Sequence, residues 1–229
     1  MLQYYKKAYR EIFKDIWPYI GMTLLYLFIL GILSLTYIGA FISGIFTIGY
    51  FFYIRNKITN GSEHLNDIFT ALTKSNFAIP SILAGLVSCI FVFFGTLIFL
   101  IPGILAFVGF TFIYLFILDG ETDFWNAMKK SYSMVSKDWW FFINYVSFPY
   151  VLMIIPFLAV IFSNTKLITE LYNMSFSLET VSFFFASSFG IIIISLILSL
   201  IFIPIYHAGL ILIYEDRKEK KELPSESSL

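Results

Sequence analysis

Apolar positions in this chain come in long unbroken blocks. No Asp, Glu, Lys or Arg occurs in 16–54, 75–118, 139–165 or 180–214. A charge inside a bilayer is costly, so charge-free blocks of this length mark membrane crossings. A helix needs about 20 apolar residues to cross about 30 Å of hydrocarbon. Block 139–165 therefore holds one span. The first two blocks are too long for one span. Each is punctuated near its middle, by Thr36-Tyr37-Ile38-Gly39 and by Ile101-Pro102-Gly103. Helix breakers at those places predict tight helical hairpins. Block 180–214, taken as one helix, would be ~52 Å long. It either tilts and protrudes or breaks at Pro204, which would add a half-span. The pattern thus predicts an all-α integral membrane protein with six transmembrane helices, near 19–36, 38–54, 79–100, 103–118, 140–162 and 181–206. A β-barrel is excluded, because Phe183-Phe184-Phe185 and Ile191-Ile192-Ile193-Ile194 do not alternate with polar residues. A cleavable signal peptide is excluded too, because the first apolar stretch is longer than an h-region and no small-residue site follows it.

The polar residues have a pattern of their own. Before the first, third and fifth spans the periodicity becomes helical and two-faced. Leu2, Tyr5, Tyr9, Ile12 and Ile16 step by three and four, with Lys6, Lys7, Arg10 and Lys14 on the other face. Leu65, Ile68 and Leu72 repeat the stripe, and so do Phe124, Met128, Tyr132 and Val135 after a candidate Asp123 cap. Such segments are expected to lie along a membrane interface as amphipathic helices, with Trp17, Trp139 and Trp140 at headgroup depth. Shifting 1–20 by 123 positions matches Lys6, Lys7, Tyr9, Lys14, Asp15, Trp17 and Ile20 to identical residues. A shift of 64 does the same for Gly39, Phe46, Thr47, Tyr50 and Phe52. The unit is helix, span, turn, span, and it is expected three times, at about 1–56, 62–119 and 122–218, ahead of a polar tail 219–229. The copies run parallel, so the inverted repeats that point to alternating-access transport are missing.

Composition sharpens the class. Hydrophobic residues make up 59% of 229 and charged residues 13%, with a mean hydropathy of +0.84. Both proportions lie well away from those of soluble domains. The 15 basic and 15 acidic residues balance, which excludes a nucleic-acid partner by bulk charge. Cys89, the single cysteine, excludes an internal disulfide and reads as an inert packing residue. With six spans, every basic residue except Lys166 falls on one side, which the positive-inside rule makes cytoplasmic, both termini included.

Candidate chemistry is sparse. No strong acid or base lies deep in a span, although ion-coupled transport usually needs one. His207, near a span end, reads either as a proton or metal ligand or as an interfacial histidine. His64 reads as a solvated loop residue. Asn144, Tyr145, Ser147 and Tyr150 on the fifth span, and Ser182, Ser187, Ser188, Ser195 and Ser199 on the sixth, read either as a polar pathway or as interhelical hydrogen bonding. The turn Asp119, Glu121, Asp123 could bind a cation, or it could be a solvated cap in which Asp123 meets the helix dipole. No nucleophile elbow, zinc-protease helix or phosphate loop occurs, and no catalytic, metal or cofactor residue is expected.

Several short segments carry a resemblance. Ile101-Pro102-Gly103-Ile104, Leu118-Asp119-Gly120, Ala127-Met128-Lys129-Lys130-Ser131-Tyr132-Ser133-Met134-Val135 and Ile213-Tyr214-Glu215-Asp216-Arg217-Lys218 resemble uncharacterised prokaryotic polytopic membrane proteins. That group includes the membrane domain found with some glycerophosphodiester phosphodiesterases. The resemblance implies a six-helix protein of a prokaryotic cytoplasmic membrane without catalysis of its own. It implies that phosphodiester chemistry sits on a separate soluble domain, for which the residues after Arg217 are too few. Asp119 and Ser131 are expected to cap and pack the interfacial helix. The expected role is a non-enzymatic scaffold or accessory. Its partners would be the lipid bilayer, anionic at the cytoplasmic face, and a membrane protein or a second copy of the chain. The alternatives are a transporter of a neutral or amphiphilic solute, or a membrane-embedded lipid enzyme using the acidic turn.

Overall fold

The computed structural model describes residues 1–62, 64–98, 100–149 and 178–222, with Val151 and Thr169. Among the described residues the chain is almost wholly helical and has no strand. In order the helices are α1 (Leu2–Lys14), α2 (Ile16–Ser34), α3 (Tyr37–Asn60), a 3₁₀ turn (Leu65–Phe69), α4 (Thr70–Thr73), α5 (Ser75–Ile98), α6 (Leu100–Gly109), α7 (Ile113–Leu118) and α8 (Phe124–Ser136). Then come α9 (139–149) and α10 (Leu178–Glu222). Four segments among the described residues are long and apolar enough to cross a membrane, namely Ile16–Ser34, Asn76–Ile98, Ile101–Leu118 and Ile193–Glu219. The second part of the expected fifth span and the expected outer loop 163–180 lie mostly outside the described residues.

Helix α3 is the hub. It packs on α2, α5, α7 and α10 and buries Ile45, Ile48, Tyr50, Phe51, Tyr53 and Ile54. Close approach is possible because its contact positions are glycines. A Cβ on Gly44 would stand 2.4 Å from the Ser81 carbonyl oxygen, and one on Gly49 would stand 2.1 Å from that of Ile68. Small residues of this kind let helix backbones touch where hydrophobic driving force is weak.

The outward faces are apolar instead of polar. On α2, Leu24, Phe28 and Ile32 step by four and are all more than half exposed, while Tyr19, Met22, Thr23 and Tyr26 are buried. On α5, Phe93, Phe94 and Leu97 are exposed as well. A protein surrounded by water rarely shows so much contiguous apolar surface. Cys89 is exposed, on this outer face, where the sequence had suggested a packing residue. Inside, buried hydroxyls find partners, as burial demands. Thr23 Oγ1 donates to the Tyr19 carbonyl and shares a hydrogen bond with the Tyr50 hydroxyl, both at 2.7 Å.

Sequence and structure differ at two places, and at a third, Pro204, the structure decides between two readings. The apolar stretch 103–118 is broken at 110–112, between α6 and α7. Ser131 of α8 fits into the break, where its Oγ donates to the Gly109 carbonyl (2.8 Å) and accepts from the Phe112 amide (3.0 Å). Pro204 does not break α10, which runs through it for 45 residues. The missing amide leaves the Leu200 carbonyl without its donor from four residues on, and the helix carries through this single lost bond with continuous turns on both sides. The second amphipathic stripe is a 3₁₀ turn followed by one α turn, in which Ile68 and Ala71 are buried but Leu65 and Leu72 are exposed.

A charged joint and cleft at the helix ends

Three helix ends far apart in sequence meet at one point. Arg55 stands in the last turns of α3, Asp119 directly after α7, and Glu215 near the end of α10. Each is the first charge after a charge-free block, so each marks the place where an apolar helix stops being apolar. Arg55 Nη1 donates to Asp119 Oδ1 at 2.6 Å, and Arg55 Nη2 faces Glu215 Oε1 at 2.5 Å. Asp119 Oδ2 accepts from the Tyr214 hydroxyl and from Lys218 Nζ, each at 2.7 Å. Burial alone would raise the Asp119 pKa, but Lys218, Tyr214 and Arg55 together hold the carboxyl below its ordinary range. Burial likewise works against the Arg55 charge, and the two carboxylates facing it overcome that and raise its pKa.

Two of the charges that open apolar blocks pair with residues next to the joint. Asp15, between α1 and α2, meets Lys57 at 2.9 Å, and Asp138, between α8 and α9, meets Arg217 at 3.2 Å. The Arg217 guanidinium also lies over the Phe142 ring at 4.6 Å and reaches the Met134 carbonyl at 3.4 Å.

Beside the joint opens a cleft of about 980 Å³ between α8, the end of α10 and the turn after α7. Asp119, Glu121, Lys130, Met134, Arg217 and Lys218 are among the residues lining it. Glu121 pairs with Lys130, and the Tyr4 hydroxyl donates to Asp216 Oδ2 at 2.7 Å.

The residues singled out from sequence fare differently. Asp119 is the centre of the joint, and Glu121 lines the cleft. Asp123 is a helix cap, accepting from the Trp125 amide at 3.0 Å. The three carboxylates do not converge, and no metal-binding cluster of His, Cys, Asp and Glu occurs among the described residues. Asn144 donates to its own helix, at the Trp140 carbonyl (2.7 Å). His207 lies among the rings of Tyr50, Phe51 and Tyr206, with centroids 4.8–5.3 Å away, and its Nδ1 bonds the Ile203 carbonyl at 2.8 Å. That setting is a half-buried position among aromatic rings of α3 and of its own helix. Tyr145 bonds the Tyr206 carbonyl (3.1 Å), and Ser199 bonds that of Ser195 (2.7 Å). The side chains of Ser187 and Ser188 lie outside the described ones, and so does Tyr150.

Sequence reasoning missed Arg55, Tyr214 and Lys218 as one site with Asp119. The signal was present, because Arg55 and Asp119 correspond under the same shift of 64 that relates the two hairpins. The segments Leu118-Asp119-Gly120, Ala127–Val135 and Ile213–Lys218 all border this one cleft. No family model, curated protein or solved structure matches the chain. The class therefore rests on the fold itself, which is that of an all-helical membrane protein with apolar spans and a charged end.

Proposed function

We propose that the chain is a non-enzymatic accessory or scaffold protein of a cytoplasmic membrane, spanning it six times with both termini inside. The expected spans at α3 and α9 complete the six, and the charged joint stands at the inner face. One observation carries the reading. Strong charges gather at one end of the helices, where they join helices to one another and line a cleft. Among the described residues, Asn144 and Ser199 bond carbonyls of their own helices, and Thr23 and Tyr26 bond hydroxyls of α3. Such an end suits contact with anionic lipid or a partner protein.

Burial supports the correspondence of the first and third copies within this proposal. Positions paired by the shift of 123 share environments: Ala8 and Ser131 are both 0% exposed, as are Ile12 and Val135, while Trp17 and Trp140 are 77% and 79% exposed. The short segments that resemble the membrane domains found beside some glycerophosphodiester phosphodiesterases fit the same role, in which catalysis belongs to another chain.

Two measurements test this reading. Cysteine accessibility in intact cells, with labels at 2, 60 and 222, should place all three sites inside, and an outside label at any of them removes the topology. Lysine-directed cross-linking in native membranes should trap a discrete species larger than the monomer, either a homo-oligomer or a defined heteromer. A chain that stays monomeric, and whose melting temperature ignores anionic lipid, refutes the accessory role.

A further inference from the structure

We infer that the cleft beside α8 binds the phosphate of an anionic lipid headgroup. The inference rests on the membrane reading above and deepens it by naming the ligand chemistry.

Charge is the first argument. The cleft lining has basic side chains in excess of carboxylates, and each carboxylate is already engaged: Asp119 by Arg55 and Lys218, Glu121 by Lys130, Asp216 by the Tyr4 hydroxyl. Two lining lysines are left over. Lys137 meets no carboxylate among the described residues, and Lys129 meets only the Trp125 ring, at 5.8 Å. Lys129 and Ser133 on α8 and Lys137, its C-cap with helical backbone, are spaced four apart, so they form one stripe about 12 Å long lining the cleft. A phosphodiester offers only acceptor oxygens. Two ammonium groups and a hydroxyl supply donors and the balancing charge.

The second argument is the company the stripe keeps. Phe116 and Met134 line the same cleft and give it an apolar wall for the part of a lipid below its phosphate. On the outer side of α8, Trp125 and Tyr132 are nearly half exposed, and Trp140 beyond its end is 79% exposed. Exposed amphipathic rings settle at headgroup level, which sets the cleft at the depth of lipid phosphates. A soluble phosphate would use the same donors but has no need of the apolar wall or the flanking rings.

The test uses the full chain, purified and reconstituted in phosphatidylcholine discs, with short-chain phosphatidylglycerol and inorganic phosphate as probes. Binding is read by native mass spectrometry and melting temperature. Wild type should bind phosphatidylglycerol, and the double variant K129Q/K137Q should bind it about thirtyfold more weakly, from the usual contribution of two lysines near a lipid surface. The variant K6Q/K7Q, which removes two exposed charges of α1 that are not among the residues lining the cleft, should stay within about twofold. If millimolar phosphate alone stabilises wild type but not K129Q/K137Q, the cleft takes a phosphate from solution, and the headgroup assignment falls. Equal phosphatidylglycerol binding by wild type and K129Q/K137Q, with equal melting in phosphatidylcholine, overturns the site. Equal weakening of both double variants overturns it in favour of diffuse surface attraction. Cross-linked assemblies are scored separately, so loss of lipid binding with assemblies intact would sink this site and leave the accessory role standing.

Discussion

Ser131→Ala is the sharpest test of how this fold is held together. Ser131 is 0% exposed and bridges the break between α6 and α7, giving a proton to the Gly109 carbonyl and taking one from the Phe112 amide. Phe112 is itself fully buried, so water cannot replace the lost acceptor. An abandoned buried donor costs about 1–3 kcal/mol, and the lost bond to the Gly109 carbonyl adds about 1 kcal/mol. The expected destabilisation is therefore about 2–4 kcal/mol. For a chain of this size that corresponds to a fall of roughly 4–16 °C in melting temperature. The assay is thermal unfolding in phosphatidylcholine discs, with Ser136→Ala alongside. Ser136 sits on the same helix and is exposed, and its hydroxyl bonds only the Ser133 carbonyl, at 3.2 Å. Ser136→Ala should melt within about 0.5 kcal/mol of wild type. If Ser131→Ala melts like Ser136→Ala, the break is held by something other than the serine bridge, and the argument fails.

Other perturbations follow from the same geometry. Gly49→Ala would press a methyl group onto the Ile68 carbonyl oxygen, at 2.1 Å, and should cost about 1–3 kcal/mol; Gly21→Ala, with nothing within 4 Å, should be neutral or slightly stabilising by the same melting assay. Asp119→Asn keeps the shape of the joint but leaves Arg55 and Lys218 facing a neutral amide, and a loss of about 1–3 kcal/mol is expected in denaturant or heat titrations. Because Asp119 titrates below its ordinary range when folded, its contribution is complete above the unfolded value of about 3.9 and is lost only as pH falls through the lower folded value. Melting curves from pH 7 to pH 5 should thus show no loss that Asp119→Asn removes. Arg217→Lys gives up the planar stack on Phe142 and should lower stability by about 1 kcal/mol, measured beside Lys218→Arg as a charge-preserving control.

The apolar blocks were legible from sequence because a membrane helix has no use for charge along its length, and so the ends of each block announce themselves. The same logic located Asp119 as a boundary but not as a partner of Arg55 and Glu215. Pairing among helix ends depends on how the helices lie side by side, and no local period encodes that. The break at 110–112 was hidden for a related reason. Phe110-Thr111-Phe112 is as apolar as a continuous helix would be, and the group that makes the break tolerable, Ser131, comes 19 residues after Phe112. Pro204 left two readings open, one long helix or a break. A proline is a strong local signal, yet here the helix carries through it. His207 precedes the charged tail by only a few residues, and no local pattern shows that its ring meets Tyr50 and Phe51 of α3.

The joint of Arg55, Asp119 and Glu215 also has a mechanical consequence. It ties one end of α10, while the helix runs on for tens of residues in the other direction. A rod fastened at one end is a lever. At about 1.5 Å per residue, a swing of roughly 5° about Glu215 carries a point 30 residues away through roughly 4 Å. Whatever loosens or tightens those few ion pairs would thereby be magnified at the far end of α10.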